Sequence, residues 1–543
     1  MASPTTSLRS AGWVSLCSLG QLALQFIFQV FLAKHFGASW EMDAYVASIA
    51  IPSVASAVLV GSLGYAFVPL FSQRLAEDRE SAWRLAGSMA TLLVVFSGAI
   101  AAGSFLFAEP LVALLCPGFA AERFDLAAGL LRIQSWLVVT NGLIAFLQSV
   151  YHCHRRFLLP AVASPLGIAL TLSGAIVFRN SGMPAVAWSV LAGSAATAAL
   201  TLPLFARNAR LGFRLGAEVK QCLLLMLPLV CGAVYFRLDP LVDRYLTSML
   251  PVGSVSHLGY AWRIATALLT ITVGGLSVVA FPNFASHWTA GRHEEFRGEV
   301  AAAMRCVTAI LAPMAFALLF FSKPLIGDLL ERGEFTAVDT ASVAWLLVLY
   351  LGMIVGAGVA EITAKVFYSL SDTRTPTWLG VGAFTVGLVL KITLTARFGV
   401  SAVVAATSLY VALNAAAAVV LVVRRLGPGT FAGVGGTLRR SVLASLAAVL
   451  AAWPVVRVEM PFSSLAGAGC GAVVYFLVMR IQRDEFAYRM ADYLVSFFRG
   501  EKASGVLSGE PAGQAVAVDP AADNVAAGKR ADSSCGKESG PSG

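Results

Sequence analysis

The chain has 543 residues, 58% of them hydrophobic and 13% charged, with a mean hydropathy of +0.77. A soluble domain of this length carries roughly twice that charge, so a water-soluble globular enzyme is excluded and an all-α polytopic membrane protein is indicated, with 49 glycines to let helices approach closely. The net charge of +9 reads as Lys and Arg left in the loops of one membrane side rather than as a nucleic-acid-binding face, and eight scattered cysteines without a C-x-x-C pair offer neither a disulfide framework nor a zinc site.

Apolar runs of spanning length fall in chain order at about 11–33, 44–72, 84–107, 129–152, 157–178, 183–206, 220–249, 253–282, 299–322, 341–367, 376–396, 399–423, 437–456 and 463–482. The first is too long for a signal-peptide core and reads as a span. About fourteen spans, an even number, put both termini on one side. The loops of one side hold Arg74, Arg79, Arg84, Arg155, Arg156, Arg207, Arg210, Arg214, Lys220, Arg292, Arg297, Arg374, Arg424, Arg425, Arg439 and Arg440. The other side holds only Lys34, Arg123, Arg179, Lys323, Arg332, Arg397 and Arg457. The richer side is cytoplasmic by the positive-inside bias, which makes both termini cytoplasmic. Short loops leave no room for an extramembrane catalytic domain, so a transporter rather than an enzyme is expected. The stretch 491–543, rich in Gly, Ala, Ser, Pro and charge, is expected to be a disordered cytoplasmic tail.

Two halves of the chain match each other in order. Gly37 pairs with Gly253, Pro69 with Pro282, Pro110 with Pro324 and Tyr151 with Tyr368, at offsets of 216, 213, 214 and 217. The fold expected is therefore two six-helix lobes related by an internal repeat, over 1–215 and 216–425, followed by two C-terminal helices within 426–490. Repeated lobes with a site between them suit alternating access.

The segments "LVDRYLTSMLPVGSVSHLGYAWRI", "GEFTAVDTASVAWLLVLY", "FYSLSDTRTP", "FGASWEMDAYVASIAIP" and "AFVPLFSQRLAED" resemble the MurJ/MviN family of the MOP exporter superfamily, over about residues 10–480. The resemblance implies a flippase in the bacterial inner membrane. Its substrate would be lipid II, the undecaprenyl-diphosphate-linked peptidoglycan precursor. It also implies a cationic cavity between the lobes, a groove for the lipid tail along the last two spans, and cell-wall synthesis proteins as partners. Of the family's cavity residues, Asp43 and Arg263 are kept, whereas the positions matching Leu22, Phe28 and about Ser56 carry no Lys or Arg. Another polyprenyl-diphosphate-linked glycan, such as an exopolysaccharide or O-antigen precursor, is the alternative substrate, and a degenerate transporter or scaffold the alternative role.

Charges inside spans are costly, about 2.5–3.5 kcal/mol for an arginine at a helix centre, and so mark function. Arg263, Arg244 and Arg237 are the candidates to bind the substrate, with Asp43 near the outer side. In "YFRLDPLVDRYL" the acids Asp239 and Asp243 share a helix face, four residues apart. They are candidates for coupling or gating, or simply members of structural ion pairs. Glu361 and Lys365, spaced i, i+4 in the favourable order, are candidates of the same two kinds. Lys391 and Arg132 read as residues near interfaces, and "HCHRR" at 152–156 as a basic turn rather than a metal site. No nucleotide motif is present, and no cofactor is expected; the membrane potential or a monovalent ion would drive transport.

Overall fold

The computed structural model describes residues 4–209, 212, 216–458, 460 and 462–482. The expected C-terminal tail, Arg210 and Arg214 lie outside the described residues. The first half comprises α1 (Pro4–Phe36), α2 (Trp40–Ser48), α3 (Ala50–Glu77), α4 (Arg79–Leu106), α5 (Ala108–Leu115), α6 (Ala121–Gln134), α7 (Leu137–Cys153), α8 (Leu158–Val177), α9 (Gly182–Thr201) and α10 (Pro203–Asn208). The second comprises α11 (Ala217–Arg237), α12 (Asp239–Ser248), α13 (Ser254–Leu269), α14 (Gly275–Thr289), α15 (His293–Leu330), α16 (Ala337–Leu349), α17 (Leu351–Ser369), α18 (Arg374–Phe398) and α19 (Val400–Leu426). Then come α20 (Val434–Val456) and α21 (Ser463–Ile481), which pair with each other and pack on α15.

Twelve helical segments among the described residues are long and apolar enough to cross a membrane. They correspond to twelve of the expected runs; those at 220–249 and 253–282 are not among them. Both contain an interruption, as do other segments such as α2–α3, broken at Ile49, and α16–α17, broken at Tyr350. α11 stops at Arg237 and α12 restarts at Asp239, with Pro240 in the first turn, where its missing N–H deprives no intrahelical bond. α13 runs into a turn of π-helix over Thr270–Gly274 before α14 begins. Such wide turns cluster at functional sites. Against the expected count of about fourteen, twelve such segments are found among the described residues, and the other two runs are helical as α11–α12 and α13–α14. Broken helices in a bilayer are tolerated where they line a cavity, because only there do the freed backbone groups find partners.

The internal repeat shows in the turns. Arg155 and Ser371, 216 residues apart, both adopt a left-handed backbone, with φ of 54° and 58°. Around them the bonding is the same: Arg156 N donates to Tyr151 O at 3.0 Å, and Asp372 N to Phe367 O at 2.9 Å. The "HCHRR" stretch is thus the turn that ends α7, and the His154 ring bonds Val150 O at 2.9 Å. "SDTRTP" is its counterpart. There the Asp372 carboxylate accepts from Thr375 Oγ1 at 2.6 Å and Thr375 N at 3.0 Å, and pairs with Arg425 at 2.6 Å. These bonds, that from the Thr375 hydroxyl first, hold its carboxyl below the usual range.

The halves meet along a seam at the end of the bundle where α2 and α13 begin. Glu334 N donates to Lys34 O at 3.0 Å, and the Tyr260 hydroxyl donates to Gly37 O at 3.0 Å. Gly37, with φ of 54°, lies so near the Glu334 backbone that a Cβ would overlap it. Glycine is required here on both counts. Gly37→Ala should therefore lower the detergent-solubilised protein's melting temperature by the equivalent of about 1–3 kcal/mol. Gly98→Ala, in α4 where an added Cβ meets nothing, should leave it unchanged or raised. Equal melting curves for the two variants would refute the close seam.

Candidate functional site

Asp43, in α2, is fully buried at the seam. One carboxylate oxygen accepts from Ser256 N at 2.8 Å and from the Ser256 hydroxyl; the other accepts from Gly253 N at 2.8 Å and Arg123 at 3.2 Å. An acid at the start of a helix satisfies amides that have no intrahelical partner and meets the positive end of the dipole. Here the acid comes from the first half and the helix, α13, from the second. Gly253 takes φ of 91° to present its amide. Asp43 therefore clasps the halves together, and each of its carboxylate oxygens already accepts two hydrogen bonds in this conformation.

Asp239 and Asp243 both point at Lys391. The ammonium of Lys391, fully buried in α18, donates to Asp239 at 2.5 Å and to Asp243 at 2.7 Å. The Tyr410 hydroxyl of α19 adds a bond to the second oxygen of Asp239 at 3.1 Å. The expectation that Lys391 sits near an interface is corrected. A bare ammonium in the bilayer is costly, and two carboxylates on one helix face supply what it needs. Arg132, by contrast, pairs with Glu109 at 2.7 Å in an exposed position.

Arg244 follows Asp243 directly and turns away from this cluster. Its Nε and Nη1 are buried and have no hydrogen-bond partner among the described residues. It lies within electrostatic reach of Asp243, Tyr350, Arg263 and Cys116. Arg263 is the tenth residue of α13, about 14 Å along the helix from its start, which is too deep for a side chain bound for the near surface. Its guanidinium crosses between the halves and donates to the side-chain oxygen of Gln29 in α1. Lys391, Arg244 and Arg263 thus bring three positive charges against the two of Asp239 and Asp243. Two arginine heads remain without a carboxylate, an arrangement that can receive an anion.

The other expected residues stand apart. Arg237 ends α11, exposed and with no ion pair among the described residues. Glu361 and Lys365 pair with each other at 3.5 Å, and Lys365 also lies over the Phe281 ring. Leu22, Phe28 and Ser56, where the family resemblance implies cations, are respectively exposed, buried and buried; the Ser56 hydroxyl has no partner. Gln29 went unnoticed as a single residue, but a signal was present: Gln21, Gln25 and Gln29 recur every four residues and form a polar stripe along an otherwise apolar helix.

Between α15, α20 and α21 lies an apolar cavity of about 290 Å³, lined by Pro313, Met314 and Phe321 on one side and by Ala448, Gly467 and Gly471 on the other. Its walls have shape but almost no polar atoms, which suits a hydrocarbon chain.

Comparison with known proteins fits this geometry. Residues 32–466 match the family described as lipid II flippase MurJ. The chain is 29% identical over 387 residues to the probable lipid II flippase MurJ of Bdellovibrio bacteriovorus, covering 67% of this chain and 73% of that one. It is 26% identical over 377 residues to the lipid II flippase MurJ of Burkholderia cenocepacia, covering 66% and 72%. A solved lipid II flippase MurJ in an inward closed conformation aligns with a TM-score of 0.75 at 22% identity, over 87% of this chain and 99% of that one. A MATE-family multidrug transporter of the MOP superfamily, inward-facing, aligns with a TM-score of 0.64 at 14% identity, over 75% and 94%.

The buried Lys391 cluster generates a stability prediction. Lys391→Met removes the one cation that both carboxylates touch and should cost about 3–5 kcal/mol. Asp239→Asn leaves the Lys391–Asp243 pair in place and should cost less. Thermal unfolding in detergent reads the order; a Lys391→Met protein as stable as the parent would contradict a charged triad.

Proposed function

The chain belongs to the lipid II flippase MurJ family, and from that premise we propose that it moves lipid II from the inner to the outer leaflet of the bacterial cytoplasmic membrane by alternating access. Members of this family are multi-pass membrane transporters, not enzymes. The observation that carries the reading is the pair Arg244 and Arg263, neither engaged by a carboxylate although both lie within helices of the second half. A diphosphate is the anion such guanidinium groups bind best, through paired and bidentate hydrogen bonds. The apolar cavity along α15, α20 and α21 supports a site there for the polyprenyl tail. The two sites together fit an amphiphile with an anionic joint between glycan and tail.

With the basic loops and both termini in the cytoplasm, the Asp43 seam lies on the outer side. Release outward then requires Asp43 to let go of the start of α13. A head group of about two negative charges gains roughly 4.6 kcal/mol per 100 mV when an inside-negative potential drives it outward. Lys391 already holds Asp239 and Asp243, which favours the potential over a free monovalent ion as the driver. The partners in this reading are the lipid, the bilayer and the proteins of cell-wall synthesis that make and use it. A second reading, transport of another polyprenyl-diphosphate glycan, is favoured by the uncharged first-half wall at Leu22, Phe28 and Ser56.

Arg263→Ala and Arg244→Ala should each reduce flipping of labelled lipid II by reconstituted protein about ten- to hundredfold, the range for losing a charge-assisted hydrogen bond. In a cell that depends on this protein, either change should block growth at normal expression. Native growth and export with Arg263→Ala would remove the cavity role of Arg263. Mass spectrometry of the lipid that co-purifies separates the two substrates: a pentapeptide-bearing lipid supports lipid II, and any other glycan supports the second reading.

A further inference from the structure

Arg263 has one side-chain partner among the described residues, and it is a neutral one. Gln29, in the eighth turn of α1, accepts from its guanidinium across the boundary between the halves. A glutamine oxygen satisfies a donor without neutralising the charge. Such a bond is weaker than one to a carboxylate or phosphate, which is roughly twice as strong. Gln29 also differs in location from the seam. It lies eight residues before Gly37 on α1, about 12 Å along the helix, deeper than the Asp43, Tyr260 and Lys34 contacts. It is a second link between α1 and α13, made by the same cation that would meet the substrate.

We propose that Gln29 is a neutral placeholder in the anion site: its side-chain oxygen holds Arg263 in place while the cavity is empty and gives way to the diphosphate when substrate enters. This rests on the reading of Arg263 as a diphosphate ligand. The placeholder does two things. It spares Arg263 an unpaired state in the empty transporter, so the cation stays oriented into the gap between the halves. It also sets the substrate in competition with Gln29 for the Nη1 edge of the guanidinium, so that loading the cavity loosens one tie between the halves. A carboxylate at this place would do the opposite, because it would neutralise Arg263 and compete with every incoming anion. An amide is the side chain that orients the cation without consuming its charge.

The full-length protein in detergent tests this with two probes, lipid II and undecaprenyl diphosphate, each titrated against the parent, Gln29→Glu and Gln29→Leu. Gln29→Glu should weaken both probes by about tenfold or more, since the substrate must then displace a salt bridge. Gln29→Leu cannot accept a hydrogen bond and should bind both as well as the parent or more tightly. Melting temperatures at or above the parent's for Gln29→Glu would show that its loss of binding comes from an intact, self-paired site. Equal binding by Gln29→Glu and the parent overturns the proposal, and so does a loss in Gln29→Leu as large as that in Gln29→Glu. If lipid II fails to bind the parent while undecaprenyl diphosphate binds and shows this pattern, the glycan assignment falls and the placeholder stands. If Arg263→Ala binds both probes like the parent, the diphosphate role of Arg263 falls, and the proposal with it.

Discussion

A charge placed between transmembrane helices needs a partner within the chain or a water-filled cavity, because the hydrocarbon supplies neither. Nearly every charge in the interior of this protein obeys that constraint within the chain. Asp43 is surrounded by donors, and Lys391 sits between Asp239 and Asp243. Against this background Arg244 and Arg263 stand out. One keeps two buried nitrogens without acceptors, and the other leans on an amide. The cost of leaving them so is of the kind that a binding site carries and a structural core avoids.

The arrangement also distributes work between the halves. The first half supplies Asp43, Arg123 and Gln29, which hold and orient. The second supplies the cations that lack acids. α12 carries Asp239, Asp243 and Arg244 within two turns, just after the break at Leu238. One short helix therefore joins the buried ion cluster to the proposed anion site, so that a shift of one bears on the other.

Much of this was legible in the amino-acid order. Long apolar runs identify spans because hydropathy and length are the properties a bilayer selects, and the offset near 216 identifies the repeat, down to matching left-handed turns at Arg155 and Ser371. The interruption at 238 is signalled by Pro240, a residue that kinks or ends a helix, whereas the wide turn at 270 was not legible, since hydropathy does not register a single altered backbone turn. Lys391 was misplaced for a different reason. Its partners stand 152 and 148 residues away, so its run showed a lone cation of the kind that usually reaches for an interface. Asp239 and Asp243 carried the complementary clue, two acids on one face with no cation of suitable spacing on that face. Gln29 was hidden by chemistry rather than distance, because an uncharged residue in an apolar helix raises no alarm until the stripe with Gln21 and Gln25 is seen.

The lysine between the two aspartates has one more consequence. A counter-ion drawn from solution occupies its site according to its concentration, and its occupancy follows the medium by mass action. A counter-ion fixed to the main chain by a four-carbon stem has no such dependence. Its local concentration is set by covalent geometry and does not change with the salt outside the cell. The electrical balance of this half of the protein is thereby written into the polypeptide, and it is inherited with the gene rather than drawn from the surroundings.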